Sequence, residues 1–190
     1  MAFARRLVAL LLPILLFVAP SAAAEADWAL LDQPRAIVLL RHASAPGSGD
    51  PAGFALGDCA TQRNLNDRGR TEARAIGAAF RSRGGAVGRV VSSQWCRALE
   101  TAELAFPGRV QPDPAFNSFF ADSAAEPQTT AQAVNILGGW TGPGVLVAVT
   151  HQVNITALTG ITPREGEGVI VTMRGGAPTV EGLLPPPTLG

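Results

Sequence analysis

The chain has no lysine and no tyrosine, and only two histidines and two cysteines in 190 residues. Without lysine there is no Schiff-base or P-loop amine. Without tyrosine there is no phenolic acid or nucleophile, so acid/base and nucleophilic chemistry must draw on few side chains. All 15 basic residues are arginines, and they balance 15 acidic ones. That balance excludes a basic nucleic-acid binder and a disordered acidic tail. A hydrophobic content of 47% suffices for one globular domain.

Arg5 and Arg6 precede an apolar run from Leu7 to Val18, followed by Pro20-Ser21-Ala22-Ala23-Ala24. This order reads as a secretory signal over residues 1–24, with the small residues of a cleavage site at Ala22 and Ala24. The run is shorter than the ~20 residues needed to span a bilayer, which disfavours the alternative of a retained membrane anchor. Residues 25–190 then form the mature domain, with a small acidic excess and a periplasmic or secreted location. In that oxidising setting Cys59 and Cys96 are able to pair, the alternative being two buried free thiols. A bridge would anchor the loop of Arg97, which directly follows Cys96.

Along the mature chain, apolar runs of strand length alternate with helical periodicity. Residues 36–40 read as a strand buried on both faces, 87–91 as a second strand and 145–149 as a third, buried one. Helices are expected from Asn66 or Asp67 to Arg83, from Arg97 to Phe106 and from Thr129 to Leu137. A short fourth helix, capped by Asn154, ends near Gly160. Residues 46–58 read as a loop and 112–128 as irregular. Residues 169–173 and 179–183 flank Arg174-Gly175-Gly176 as a hairpin or edge pair, and the tail from Pro185 is expected to fray. The pattern predicts an α/β fold, a single domain with a mostly parallel central sheet flanked by helices.

Both histidines follow apolar strands, in Leu39-Leu40-Arg41-His42 and Ala148-Val149-Thr150-His151. Ligands of open α/β sheets bind beyond the carboxyl ends of the strands, so neighbouring strands would bring His42 and His151 together across one crevice. Arg41 stands beside His42, where burial without an anion is costly. Arg97 opens a helix whose dipole opposes a lone cation. Two guanidinium forks at the end of a sheet suit a tetrahedral phosphate. Arg63, Arg68 and Arg70 either rim the mouth of such a site or solvate the start of a helix.

Four segments carry a resemblance: Leu40-Arg41-His42-Ala43; Asn64-Leu65-Asn66-Asp67-Arg68-Gly69 leading to Glu72-Ala73; Ser92 to Ala102 around Cys96-Arg97-Ala98; and Val149-Thr150-His151. Their order resembles the four blocks of the histidine phosphatase, or phosphoglycerate mutase-like, superfamily, and its small exported members in particular. The resemblance implies that His42 is the nucleophile that becomes phosphohistidine. Arg41, Arg97 and His151 would bind the phosphoryl oxygens, and Asn64 would do so by its position in the second block. It implies no metal and no other cofactor, and the chain shows no ligand-spaced cluster of His and carboxylates. The substrate would be a small-molecule or envelope-sugar phosphate ester, with no nucleic-acid partner and no membrane span after signal cleavage.

The resemblance also implies a carboxylic acid that protonates the leaving group, and no block supplies one. Asp122 is the first candidate, beside the apolar Phe119-Phe120 that would keep it protonated. Glu126 is the second, and Asp50 and Asp58 are more remote choices. The mutase branch places an Asn several residues beyond its histidine, whereas this chain has Ser44-Ala45-Pro46-Gly47-Ser48-Gly49. With no insertion large enough for a mutase lid, hydrolysis is favoured over isomerisation. A protein that keeps the phosphate pocket but has lost turnover is the competing reading. Action on phosphohistidine in other proteins fits poorly with export.

Overall fold

The computed structural model describes residues 27–83 and 85–189. The expected leader at residues 1–24 lies outside them. The strands are β1 (Ile37–Arg41), β2 (Val87–Ser92), β3 (Val110–Pro112), β4 (Val145–Thr150), β5 (Gly168–Arg174) and β6 (Ala177–Leu184). The helices are α1 (Asp67–Arg83), α2 (Cys96–Ala105), α3 (Glu126–Gly138) and α4 (Gln152–Thr159). One sheet runs in the order β3-β2-β4-β1-β5-β6. The first four of these strands are mutually parallel, and β5 and β6 close the sheet as an antiparallel hairpin.

Successive side chains of a strand point to opposite faces, so a strand with helices on both sides must be apolar throughout. In β4 all of Val145–Thr150 are buried. On one face Val38, Leu40, Val147 and Val149 pack with Ile76, Phe80, Ala98 and Ala102 under α1 and α2. On the other, Ile37, Leu39, Leu146 and Ala148 pack with Phe116, Leu137 and Ile155 under α3 and α4. Each such branched side chain contributes roughly 1.5–3 kcal/mol when fully buried, which fixes the strand register against slippage.

Two glycines set how closely α1 approaches the rest. A Cβ at Gly69 would lie 2.1 Å from the carbonyl oxygen of Ser44, and one at Gly77 would lie 2.2 Å from that of Ala105. The chain just beyond His42 therefore rests directly on α1. Glu72, also on α1, holds the same segment by accepting the Ser44 N–H at 2.8 Å. Burial raises the Glu72 pKa above its ordinary value.

Several expectations need adjustment. The irregular 112–128 region contains the end of β3, a three-residue edge strand whose Pro112 cannot extend a ladder. It also holds two short 3-10 turns, at Pro114–Phe116 and Ser123–Ala125. Helix α3 starts at Glu126, three residues before the expected Thr129, because a proline in its first turn is preorganised for helix. Asn154 does not cap α4; His151 occupies that position. The tail beyond Pro185 is irregular, but Pro186, Pro187 and Leu189 are partly buried.

Candidate active site

β1 and β4 are parallel neighbours with Arg41 opposite Thr150, so the two residues that follow them emerge side by side. The His42 N–H donates to the Thr150 carbonyl at 3.0 Å. The two imidazoles lie 5.4 Å apart between centroids, nearly edge to face. They line a cavity of about 310 Å³ together with Arg41, Arg63, Arg97 and Asp50. A recess of about 400 Å³ near the opposite end of β2 is lined by Arg81, Arg109 and apolar residues, without a histidine or carboxylate.

His42 is buried, and its Nδ1 lies 2.8 Å from the carbonyl oxygen of Ala43. A carbonyl can only accept, so the proton sits on Nδ1 and the Nε2 lone pair is free for attack. Burial pushes the His42 pKa down to about 3, against the Ala43 contact and with help from Arg97, Arg41 and Arg63. The imidazole is therefore neutral near pH 7, as a nucleophile must be. His151 is held low for the same reasons, burial first and then His42 and the arginines. Its Nε2 lies 2.8 Å from Ser93 Oγ, which also faces Asn117 Oδ1 at 3.3 Å. Asn117 ties this network to the chain around it, accepting the Gln94 N–H at 2.8 Å and the Asn154 Nδ2–H at 2.8 Å on its carbonyl.

The arginines are fixed in contrasting ways. Arg41 donates to Gln152 Oε1 at 3.0 Å and to the Pro163 carbonyl at 2.9 Å, with Glu165 at 3.8 Å. Arg97, only 3% exposed, grips Asp50 with both terminal nitrogens, at 2.7 and 3.3 Å. Trp95 Nε1 donates to the same carboxylate at 2.9 Å. The Nε–H groups of Arg41 and Arg97 are buried with no acceptor among the described residues. Such orphan donors are rare, and two of them in one cationic cavity fit an anion that accepts from both.

The wall opposite the strand ends is the 46–63 loop. Arg63 reaches back to the carbonyls of Ala45 and Gly49, the latter at 2.8 Å. Cys59 and Cys96 are joined in a disulfide with Cα atoms 5.7 Å apart, and Gln62 Oε1 accepts the Cys96 N–H at 2.9 Å. The loop is thereby pinned to the start of α2, one residue from Arg97. Trp95 stacks on Phe54 at 4.9 Å, and Phe120, 62% exposed, stands at the mouth.

His42, Arg41, Arg97 and His151 thus converge on one cavity. Asn64 does not join them, because its side chain donates to the carbonyls of Cys59 and Gln62, at 2.6 and 3.0 Å. Its neighbour Arg63 lines the cavity instead. Asp122 is also elsewhere: it is exposed and caps a 3-10 turn by accepting the Ala124 N–H at 3.2 Å. Phe119, expected to shield it, is buried in the body of the protein. Glu126 is exposed at the start of α3, and Asp58 caps the turn at Cys59. Arg70 is committed to Glu100 and Asp67, and Arg68 is an exposed residue of α1. Asp50, a remote choice on sequence, is the carboxylate that lines the cavity. A charged residue in a Gly-rich loop gave little warning of this. Among the described residues no three His, Cys, Asp or Glu side chains group as a metal site.

The model of the histidine phosphatase superfamily, branch 1, matches residues 37–133, half of the chain, including His42 and Arg97. The chain belongs to this superfamily. Its solved structural neighbours carry the same fold at low identity. The protein histidine phosphatase SixA, complexed with tungstate, is 18% identical with a TM-score of 0.56, covering 80% of this chain and 97% of its own. A putative alpha-ribazole-5'-P phosphatase from Escherichia coli is 17% identical with a TM-score of 0.58, over 80% and 99% of the two chains. Phosphoserine phosphatase from Entamoeba histolytica is 15% identical with a TM-score of 0.57, over 78% and 95%. No curated protein matches by sequence. His151 lies beyond the matched segment, and its place in a histidine phosphatase site rests on its position opposite His42.

Proposed function

We propose that this protein is an exported, metal-independent phosphomonoesterase that works through a phosphohistidine on His42. The observation that carries this reading is the buried neutral His42, with its Nδ1 proton fixed on Ala43, in a cavity shared with Arg41, Arg63, Arg97 and His151. Phosphoryl transfer is mostly positioning and charge stabilisation, and these residues supply both. The Nε2 lone pair attacks phosphorus, the guanidiniums accept the charge on the equatorial oxygens, and water then releases phosphate. His151 stabilises the same oxygens. The structural neighbours, named as phosphatases, agree with this class of activity. Export is supported by the leader pattern at residues 1–24 and by the Cys59–Cys96 bridge. No helix among the described residues is long and apolar enough to cross a membrane. A small phosphate ester is the substrate class, with an envelope-sugar phosphate as the physiological choice.

The test is His42→Ala with p-nitrophenyl phosphate. Turnover is expected to fall by at least about 10³-fold, and alkali-quenched wild type to carry an acid-labile phosphoryl label that the variant lacks. Wild-type turnover in the variant would overturn the assignment.

A further inference from the structure

The blocks of the sequence leave the leaving-group acid without a residue, and the cavity contains a carboxylate in an unexpected role. Asp50 spans Arg97, which it meets with both oxygens, and the indole N–H of Trp95. A phosphoryl group that takes the orphan Arg97 Nε–H in a forked contact also uses Nη2, the nitrogen that Asp50 holds at 3.3 Å. Two anions cannot share it without repulsion, so one must give way or gain a proton.

We infer that Asp50 is the proton donor to the leaving oxygen and that a bound phosphoryl group activates it by taking Arg97 away. This rests on the phosphohydrolase reading above and deepens it. While Asp50 is paired, Arg97 and Trp95 hold its pKa below the ordinary carboxylate value, against the effect of burial. Paired in this way it is a poor acid. Removing Arg97 from it and placing a phosphoryl dianion nearby both favour the protonated carboxyl. The other titratable groups around it are Arg63 on its own loop, Arg41 at the end of β1 with the neutral His42 after it, and the neutral His151 after β4, while the 117–121 segment brings only Ser118, Phe120 and Ala121 to the cavity.

The steps balance. Substrate binding takes up one proton on Asp50. His42 Nε2 attacks phosphorus, the bond to the ester oxygen breaks, and that oxygen takes the Asp50 proton and leaves as the alcohol. In the second step water attacks phosphorus, gives a proton back to Asp50, and the P–N bond returns its electron pair to Nε2.

Asp50→Asn tests this by a split between leaving groups. With an alkyl phosphate the variant should lose about 10²–10⁴-fold in kcat, as expected for a missing general acid. With p-nitrophenyl phosphate, whose leaving group needs little protonation, the loss should be far smaller, so the ratio of the two rates rises by at least about 30-fold. Equal losses on both esters would overturn the assignment and leave Asp50 as a positioning residue for Arg97. A second readout is tungstate binding followed by calorimetry in buffers of different ionisation heat. Wild type should take up about one proton on binding and Asp50→Asn none. Uptake unchanged in the variant also overturns the inference. Absence of p-nitrophenyl phosphate turnover in wild type would instead overturn the phosphohydrolase reading itself, so the two failures are distinct.

Discussion

The floor and the wall of the cavity are built on different principles. The floor, His42 and His151, extends two central parallel strands, and each residue is placed by backbone hydrogen bonds and by buried strand residues on both faces. The wall, residues 46–63, has no regular structure before a three-residue turn at Cys59–Thr61. It is held by side chains: Arg63 on two carbonyls, Asp50 on Arg97, Gln62 on the Cys96 N–H, and the disulfide. Arg41, the proposed nucleophile His42 and His151 thus sit at rigid strand ends, while Arg63 and the group proposed to move a proton sit on a tethered loop. Such a division lets chemistry demanding fixed geometry coexist with a contact that must break and reform in each cycle.

The sharpest way to separate the two is to damage each alone. On the floor, His151→Gln should lower kcat by about 10²–10³-fold while thermal unfolding shows the protein still folded. If activity stayed within about twofold, His151 would not stabilise the transferring group. On the wall, replacing both Cys59 and Cys96 by serine opens a loop spanning 37 residues, which in the chain-entropy model costs about 4 kcal/mol of stability. Denaturant titration of the double variant checks this. A loss confined to stability, with kcat unchanged under folding conditions, would show that the side-chain contacts hold the wall without the bridge.

The dryness of the floor has its own signature in pH. The folded value of His42, about 3, lies below the ordinary 6.5, so on acidification the unfolded chain takes up a proton first. Stability from this source is whole above about pH 6.5 and declines toward pH 3, at about 1.4 kcal/mol per pH unit. His151 is shifted in the same direction and adds to the slope. Unfolding free energies at pH 7, 6 and 5 measure it, and His42→Gln should flatten the profile. An already flat wild-type profile would mean that water reaches the floor. The smallest effect belongs to the rim, where Phe120→Ala should raise KM for an aryl phosphate by about threefold, with kcat little changed. An unchanged KM would place the leaving group away from Phe120.

The contrast also explains what could be read from the residues. Buried strands announce themselves by continuous apolar runs, so β1 and β4 were legible, and with them the neighbouring ends that carry Arg41, His42 and His151. The edge strand β3 was not, because three residues ending in proline carry no run and no alternation. Loop side chains obey no period. Asn64 fits a family block yet spends its amide on the backbone around Cys59, and of the apolar neighbours of Asp122 the fold buries Phe119 elsewhere and leaves Phe120 exposed at the cavity mouth. Asp50 had only a Gly-rich context, and its partner Arg97 lies 47 residues away.

Composition and local pattern by themselves pointed to two histidines and a set of arginines at strand ends of an α/β domain, and the order of four short blocks resembled one family. Hydrophobic periodicity is a local property and survives in one dimension. Only the tertiary structure decided which carboxylate and which further arginine, Asp50 and Arg63, face those histidines. Long-range charge pairing depends on how a loop is tethered across the end of a sheet, and no local spacing encodes that.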